Sequence, residues 1–351
     1  MAKSELAGKV QTVLGVIESR DLGITLPHEH LLIDGRVSFI EPDGASDRAL
    51  AHKPVSLEIL SWLRYHPFEN QDNCCLLDEQ DAIDETMLYK QAGGGTIVDV
   101  TNIGIGRDPK ALVRISQATG LNVIMGAGYY VAATHPPEMS LKTEEEITEE
   151  IVRDITLGAG DSGIRAGIIG EIGGSWPLQD NEKKVMRAAA HAQQRTGASV
   201  SIHLGRSEKA ALEICEVLAD AGANLSRVIM SHIDVRIREH SMLRKVAEKG
   251  CCLEYDLWGW EGNYPWWIYD FDLPNDMQRI YDLLYLIDEG YLNQILVSHD
   301  ICKKNQLVRY GGWGYAHISN YVVPTMLKRG MTREQINAIM VENPKRLLCF
   351  V

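Results

Sequence analysis

Six side chains in the sequence have the types needed to chelate a pair of divalent cations. His28 and His30 form a His-x-His pair, Glu171 lies in GIIGEIG, His203 in SIHLGR, His232 in VIMSHID and Asp300 in VSHDI. Imidazole nitrogens bind borderline ions such as zinc, and a carboxylate can bridge two of them. A lone His-x-His is a weak signal, because a buried histidine with an ordinary hydrogen-bond partner produces it by chance. The weight comes from six such residues recurring at the ends of separate apolar runs. Two cations about 3.5–4 Å apart would share a water and bring its pKa from near 16 to around 7, giving a bridging hydroxide at neutral pH. Hydrolysis at a carbonyl or phosphoryl centre is the chemistry this implies.

For the six to meet, separate strands must deliver them to one rim. His28 and His30 stand at i and i+2, so both face the same side of a strand. Eight short Val/Ile-rich runs alternate with segments of helical period, the pattern of parallel strands covered by crossover helices. The runs are Ile24 to Leu26 leading into His28, Gly95 to Thr101, Asn122 to Gly128, Ala166 to Ile172, Ala198 to His203, Arg227 to Ile233, Cys251 to Asp256, and Gln294 to His299. Crossover helices are expected at Glu79 to Gln91, Asn181 to Arg195, Ser207 to Ala221 and Met277 to Asp288, with a last one from Thr332 to Val341 before Asn343-Pro344. Eight such units in 351 residues fit a (β/α)8 barrel as one domain over residues 1–351, with an open doubly wound sheet as the competing layout. The six candidates then fall at the carboxyl ends of five strands, where barrel enzymes keep their sites. Two stretches break the rhythm: a long excursion over 34–78, with some helix near Leu57 to Tyr65, and the aromatic loop WGWEGNYPWWIYDFDLP over 258–274.

A formal charge of −13 and a pI near 5.3 argue against the phosphate backbone of nucleic acid as the main partner. No run of about 18 apolar residues is present, and Met1-Ala2-Lys3-Ser4-Glu5 lacks the apolar segment of a secretory signal. The seven cysteines include no C-x-x-C pair, which fits reduced thiols. The expectation is a cytoplasmic enzyme with a small-molecule substrate and a homodimer as its assembly, and with neither nucleic acid nor membrane as a partner.

LPHEHLL, GIIGEIG, SIHLGR, VIMSHID, VSHDI and the closing ENPKRL, in that order, resemble the phosphotriesterase family of the amidohydrolase superfamily over essentially the whole length. AGKVQTVLG, GAGYYVAATH and IIGEIGGSWPL are closest to its phosphotriesterase-related branch. The resemblance implies that His28, His30 and Asp300 hold one metal and His203 and His232 the other, with Glu171 between them and Asp300 also taking up the proton. Many members bridge their metals with a carbamylated lysine. A shorter glutamate here puts metal spacing, metal identity and any need for carbon dioxide in question. Zinc is the expected ion, with manganese, cobalt or iron as alternatives.

Around the rim, Tyr130 could bond the reacting oxygen and Arg206 could meet an anionic substrate group. Trp258 is the expected substrate-facing member of the aromatic loop, which could equally be loop packing or a subunit contact. Lactonases of the family carry an arginine directly after the seventh-strand aspartate, whereas Leu257 follows Asp256 here. Gly311-Gly312-Trp313-Gly314-Tyr315 lacks the order of a phosphate cradle. A mononuclear deaminase would place a glutamate soon after the fifth-strand histidine, and Leu204-Gly205-Arg206 stands there instead. The expected reaction is cleavage of an amide or ester, with small N-acyl amino acids or N-acetyltaurine as the substrate the resemblance implies. Lactonase, carbamate hydrolase and phosphotriesterase activities are the alternatives within the class, and a non-catalytic binding protein on the same fold is the alternative outside it.

Overall fold

Each of the eight apolar runs forms a strand in the computed structural model, which describes residues 6–261 and 273–351. They are β1 (Ile24–Glu29), β2 (Gly94–Asp99), β3 (Asn122–Ala127), β4 (Ile168–Gly173), β5 (Val200–His203), β6 (Val228–Met230), β7 (Cys252–Tyr255) and β8 (Ile295–Val297). The sheet runs in chain order from β1 to β8, every neighbour parallel. β8 returns to β1 without a regular ladder. There the ring is closed by the Asp300 N–H donating to the His28 carbonyl at 3.3 Å and the His28 N–H donating to Ser298 Oγ at 3.2 Å.

Helices α1 (Glu79–Gln91), α2 (Pro109–Thr119), α3 (Glu144–Thr156), α4 (Asp180–Thr196), α5 (Ala210–Asp220), α6 (His240–Ala247) and α7 (Asp276–Asp288) cover the outside. Their starts follow from local chemistry. Asp78 accepts from the N–H groups of Gln80 and Asp81, and Thr143 and Glu146 cap each other reciprocally at α3. Period-2 alternation divides the strand residues into two cores. Val98, Val100, Ile124, Ile168, Ile229, Cys252 and Leu296 fill the barrel interior, while Ile97, Val123, Ile169, Val200, Leu253 and Ile295 face the helices.

An antiparallel pair, Lys9–Thr12 with Gly15–Glu18, precedes the barrel and was not expected from the sequence. It places Val10 in the interior cluster beside Leu347 and Leu348 from the other end of the chain. The two ends are stitched together: the Gly8 N–H donates to the Phe350 carbonyl and the Phe350 N–H to that of Lys9, both at 3.0 Å. Arg227 holds the same tail through the carbonyls of Arg346, Leu347 and Cys349.

Three expectations change. β6 stops at Met230, so His232 lies past its strand instead of ending it, while Asp300 follows β8 (ending at Val297) as expected; both are in left-handed conformation, with φ of 60° and 50°. They are the non-glycine residues with positive φ among those described, and such backbone is retained where surrounding bonds enforce it. The final helix does not stop at Val341: after Arg333–Asn337 a π-turn over Ala338–Glu342 leads into Asn343–Leu348. The wider turn leaves a carbonyl without the N–H that Pro344 lacks, and a π-turn over Ile318–Val322 does the same ahead of Pro324. The excursion is more ordered than a loop. Ile33–Asp34 pairs with Cys75–Leu76 at its two ends, with helices Ala45–Ala51 and Leu60–Leu63 between. Of the aromatic loop, Trp266 and Trp267 lie outside the described residues.

Candidate metal centre

The carboxyl ends of β1, β4, β5, β6 and β8 bring all six predicted residues to one point. Glu171 is at the middle. Its Oε1 lies 3.5 Å from His30 Nε2, and its Oε2 lies 3.5 Å from His28 Nε2, 3.0 Å from His203 Nδ1 and 3.6 Å from His232 Nε2. Asp300 Oδ1 completes one side, at 3.3 Å from His30 Nε2 and 3.8 Å from His28 Nε2. On the other side His203 Nδ1 and His232 Nε2 approach to 2.8 Å. His28, His30 and Asp300 converge tightly enough for one ion, and so do His28, Glu171 and His232.

Whether these groups suit cations is decided by the far side of each ring. Thr101 Oγ1 donates to the Leu32 carbonyl at 3.0 Å, so it accepts from His30 Nδ1 at 2.8 Å. His28 Nδ1 meets Glu254 at 3.2 Å, and His232 Nδ1 meets Asp256 at 3.0 Å. Carboxylates accept, so the ring proton sits on Nδ1 in each case and the Nε2 lone pair faces the centre. His28 Nε2 is buried there without a hydrogen-bond partner. Three imidazoles with inward lone pairs, together with His203 and two carboxylates at the same point, fit two divalent ions of the zinc type. His28, Glu254 and Asp256 also converge, but their contact is through the protonated Nδ1, which makes the two acids orienting partners of the rings.

The charge balance agrees. Burial opposes ionisation of His30 and His232, yet Asp300 and Glu171 lift the first to about 9, and Asp256 and Glu171 the second to about 10. Burial would likewise raise Glu171, and the surrounding imidazoles outweigh it, holding the carboxyl well below its ordinary range. The acids of this centre call for positive charge, and bound cations displace protons in supplying it.

Several of these positions escaped the sequence reading. Glu254 on β7 and Asp256 just past its end stand at i and i+2, two acids on the inward face, and that spacing was the available signal. Glu29, between the two predicted histidines, points the other way and accepts from Ser298 Oγ, the His299 N–H, His299 Nδ1 and the Ile301 N–H. It clamps the turn that carries Asp300. Asn102 donates to the Glu171 carbonyl. Replacing Asp256 by Asn should turn the His232 ring and lower metal affinity by about 10–100-fold. Titration of the apoprotein with zinc reads this, and wild-type affinity would remove Asp256 from that role.

Above the centre lies a cavity of about 120 Å³ among the described residues, lined by Glu171, His203, His232 and Asp300 together with Tyr130, Arg206, Arg236, Trp260 and Lys303. A second lobe of about 450 Å³ adjoins it at Tyr130, His203 and Arg206. The Tyr130 hydroxyl is 3.2 Å from His203 Nδ1, and Arg206 is exposed at the mouth. Trp258 is not brought to the cavity. It is fully buried and its indole N–H donates to the Tyr255 carbonyl at 2.9 Å, because the chain turns at Gly259 (φ 87°) and presents Trp260 instead.

A parallel eight-stranded barrel that gathers four imidazoles and two carboxylates at its carboxyl-end mouth defines a metal-dependent hydrolase. The chain belongs to the phosphotriesterase family, which matches over residues 8–348; its members are binuclear metal-dependent enzymes acting on small molecules. It is similar to an N-acetyltaurine hydrolase of Danio rerio, 45% identical over 99% of both chains. A phosphotriesterase-related protein of Nematostella vectensis is 43% identical over 98% of this chain and 99% of its own. Among solved structures, a resiniferatoxin-binding protein from Rhodobacter sphaeroides superposes with a TM-score of 0.94 at 38% identity, covering 97% of this chain and 95% of that one. No helix among the described residues is long and apolar enough to cross a membrane.

Proposed function

We propose that His28, His30 and Asp300 hold one cation, that His203 and His232 hold the second, and that Glu171 bridges them. Zinc is the ion of first choice, with manganese, cobalt or iron as alternatives. The reaction is hydrolysis of the amide of a small N-acylated amino acid or aminosulfonate, N-acetyltaurine being the leading candidate. The observation that carries this reading is a small cavity that joins the inward-facing ligand set to three basic side chains, Arg206, Arg236 and Lys303. Relatives named N-acetyltaurine hydrolase, 43–45% identical, support the same substrate.

When bound, the two ions supply Lewis acidity and ionise water near neutral pH. The chain's own residues do the rest. Asp300 accepts the proton released from the attacking water and passes it to the leaving amine. The Tyr130 hydroxyl, anchored beside His203, bonds the reacting oxygen. Arg206 at the mouth attracts an anionic substrate. The apolar walls from the excursion, Ile33, Val37 and Phe68, exclude bulk water.

The test is a panel of N-acyl amino acids, N-acetyltaurine, lactones, carbamates and phosphotriesters with zinc-loaded enzyme. The amides are expected to exceed the other classes in kcat/KM by about 100-fold or more. Chelation should abolish the activity and zinc restore it. A lactone or phosphotriester turned over faster, or activity that survives complete metal removal, would overturn the reading. A second reading, a binding protein for a larger ligand, draws on the wide second lobe and on the name of the Rhodobacter neighbour. It predicts ligand uptake by metal-loaded protein with no turnover of any panel member.

A further inference from the structure

One of the three basic side chains in the cavity is buried without a counter-ion among the described residues. Lys303 is 5% exposed, and its ammonium sits between two aromatic rings, 4.4 Å from the Phe68 centroid and 4.2 Å from that of Trp260. Its hydrogen bond goes to Cys302 Sγ at 3.3 Å, and no carboxylate of the described residues pairs with it. The neighbouring Lys304 shows the usual alternative, an ion pair with Asp72 at 2.6 Å. Ring faces attract a cation through their quadrupole but bring no negative charge. Burying an ammonium is unfavourable unless an anion compensates. Among the described residues no carboxylate comes within ion-pair distance of the ammonium, and the Glu171 and Asp300 carboxylates that line the same cavity face the imidazoles, so the missing charge is one that a ligand can bring.

The position is built as rigidly as the ligand turn itself. Gln306 Oε1 accepts from the backbone N–H groups of Cys302 and Lys303 at 2.9 and 2.7 Å, while Glu29 accepts from Ile301 N–H at 2.9 Å. One clamped segment therefore presents Asp300 to the candidate metal centre and Lys303 to the space above it. The other two cations are less suited. Arg206 is exposed, and Arg236 directs its Nε to the Leu204 carbonyl at 3.1 Å. We infer that Lys303 is the receptor for the acid group of the substrate, a sulfonate or a carboxylate, and so selects anionic over neutral amides. The assignment rests on the amide-hydrolase reading, and its test is arranged to separate the two.

Zinc-loaded wild type, Lys303→Met and Lys303→Arg would be assayed on N-acetyltaurine, on N-acetyl-β-alanine and on the uncharged methyl sulfone that mimics N-acetyltaurine in shape. Methionine keeps the contact with both rings and removes the charge. Lys303→Met is expected to raise KM for the two anions by about 30–100-fold with kcat within about threefold, and to leave the sulfone within about twofold. Lys303→Arg should recover both anions to within about tenfold of wild type. A larger loss on one of the two anions identifies the acid that the lysine serves. Equal losses on all three substrates, or none on the anions, overturn the assignment. In parallel, calorimetry with 1-propanesulfonate reads anion binding without turnover, and Lys303→Met should weaken it by about tenfold or more. If wild type hydrolyses none of the three substrates, the amide reading fails on its own, and equal sulfonate affinity of wild type and Lys303→Met would still refute the lysine's role.

Discussion

Asp300→Asn should lower kcat by about 10²–10⁴-fold while the protein stays folded. Asparagine keeps the size of the side chain and can still hydrogen-bond, so the packing of the β8 turn survives. What it loses is the charge. Burial pushes the Asp300 carboxyl up, but His30, His232 and His28 outweigh burial and hold it below its ordinary range, so it stays ionised, with a free carboxylate charge, at neutral pH. The amide cannot do this. Steady-state kinetics with circular dichroism and a thermal melt as controls decide the matter; turnover near that of wild type would refute the assigned role, and an unfolded variant would be replaced by Asp300→Glu.

Removal of the central carboxylate should act on composition before it acts on rate. Glu171 is 2% exposed and has all four imidazoles within 3.6 Å of its two oxygens. Glu171→Ala leaves two half-sites with no shared anion between them, and bound metal is expected to fall from about two ions per chain to fewer than one. Elemental analysis after dialysis measures it, and full occupancy in the variant would contradict bridging. With Glu171 proposed as the bridge, a genetically encoded carboxylate, reconstitution of the wild type should proceed equally with and without bicarbonate. A requirement for bicarbonate would point to a carbamate elsewhere.

The six candidate ligands were legible because barrel strands announce themselves by period and because metal chemistry uses a narrow choice of side chains. Six residues at the ends of apolar runs suffice to define a common rim, and His28, His30, Glu171, His203, His232 and Asp300 meet there. The residues behind them were harder to see. Thr101 orients His30 across 71 positions of sequence and Glu254 orients His28 across 226, and pairings between strands leave no local pattern. The aromatic loop gave the right kind of residue at the wrong position, since an alternation of tryptophans does not reveal where a glycine will reverse the chain. Lys303 had no signal at all. A lysine beside Lys304 in a polar stretch reads as a solvated surface, and it is covered by rings distant in sequence, Phe68 of the excursion and Trp260. The left-handed turns at His232 and Asp300 were equally hidden, because they are imposed by tertiary bonds such as the Asp256 carboxylate on the His232 N–H.

The joining of residues 8 and 9 to residue 350 bears on how the chain is made. A polypeptide emerging from the ribosome presents its first hairpin long before the partner for it exists, so the ring has to wait with its floor incomplete. Only when the segment around Phe350 has been made can it dock on Gly8 and Lys9 and seal the base. During that interval apolar surface lies open to solvent and to neighbouring nascent chains, which makes the segment around Leu347 to Phe350, far from any chemistry, a determinant of how much active protein a cell recovers.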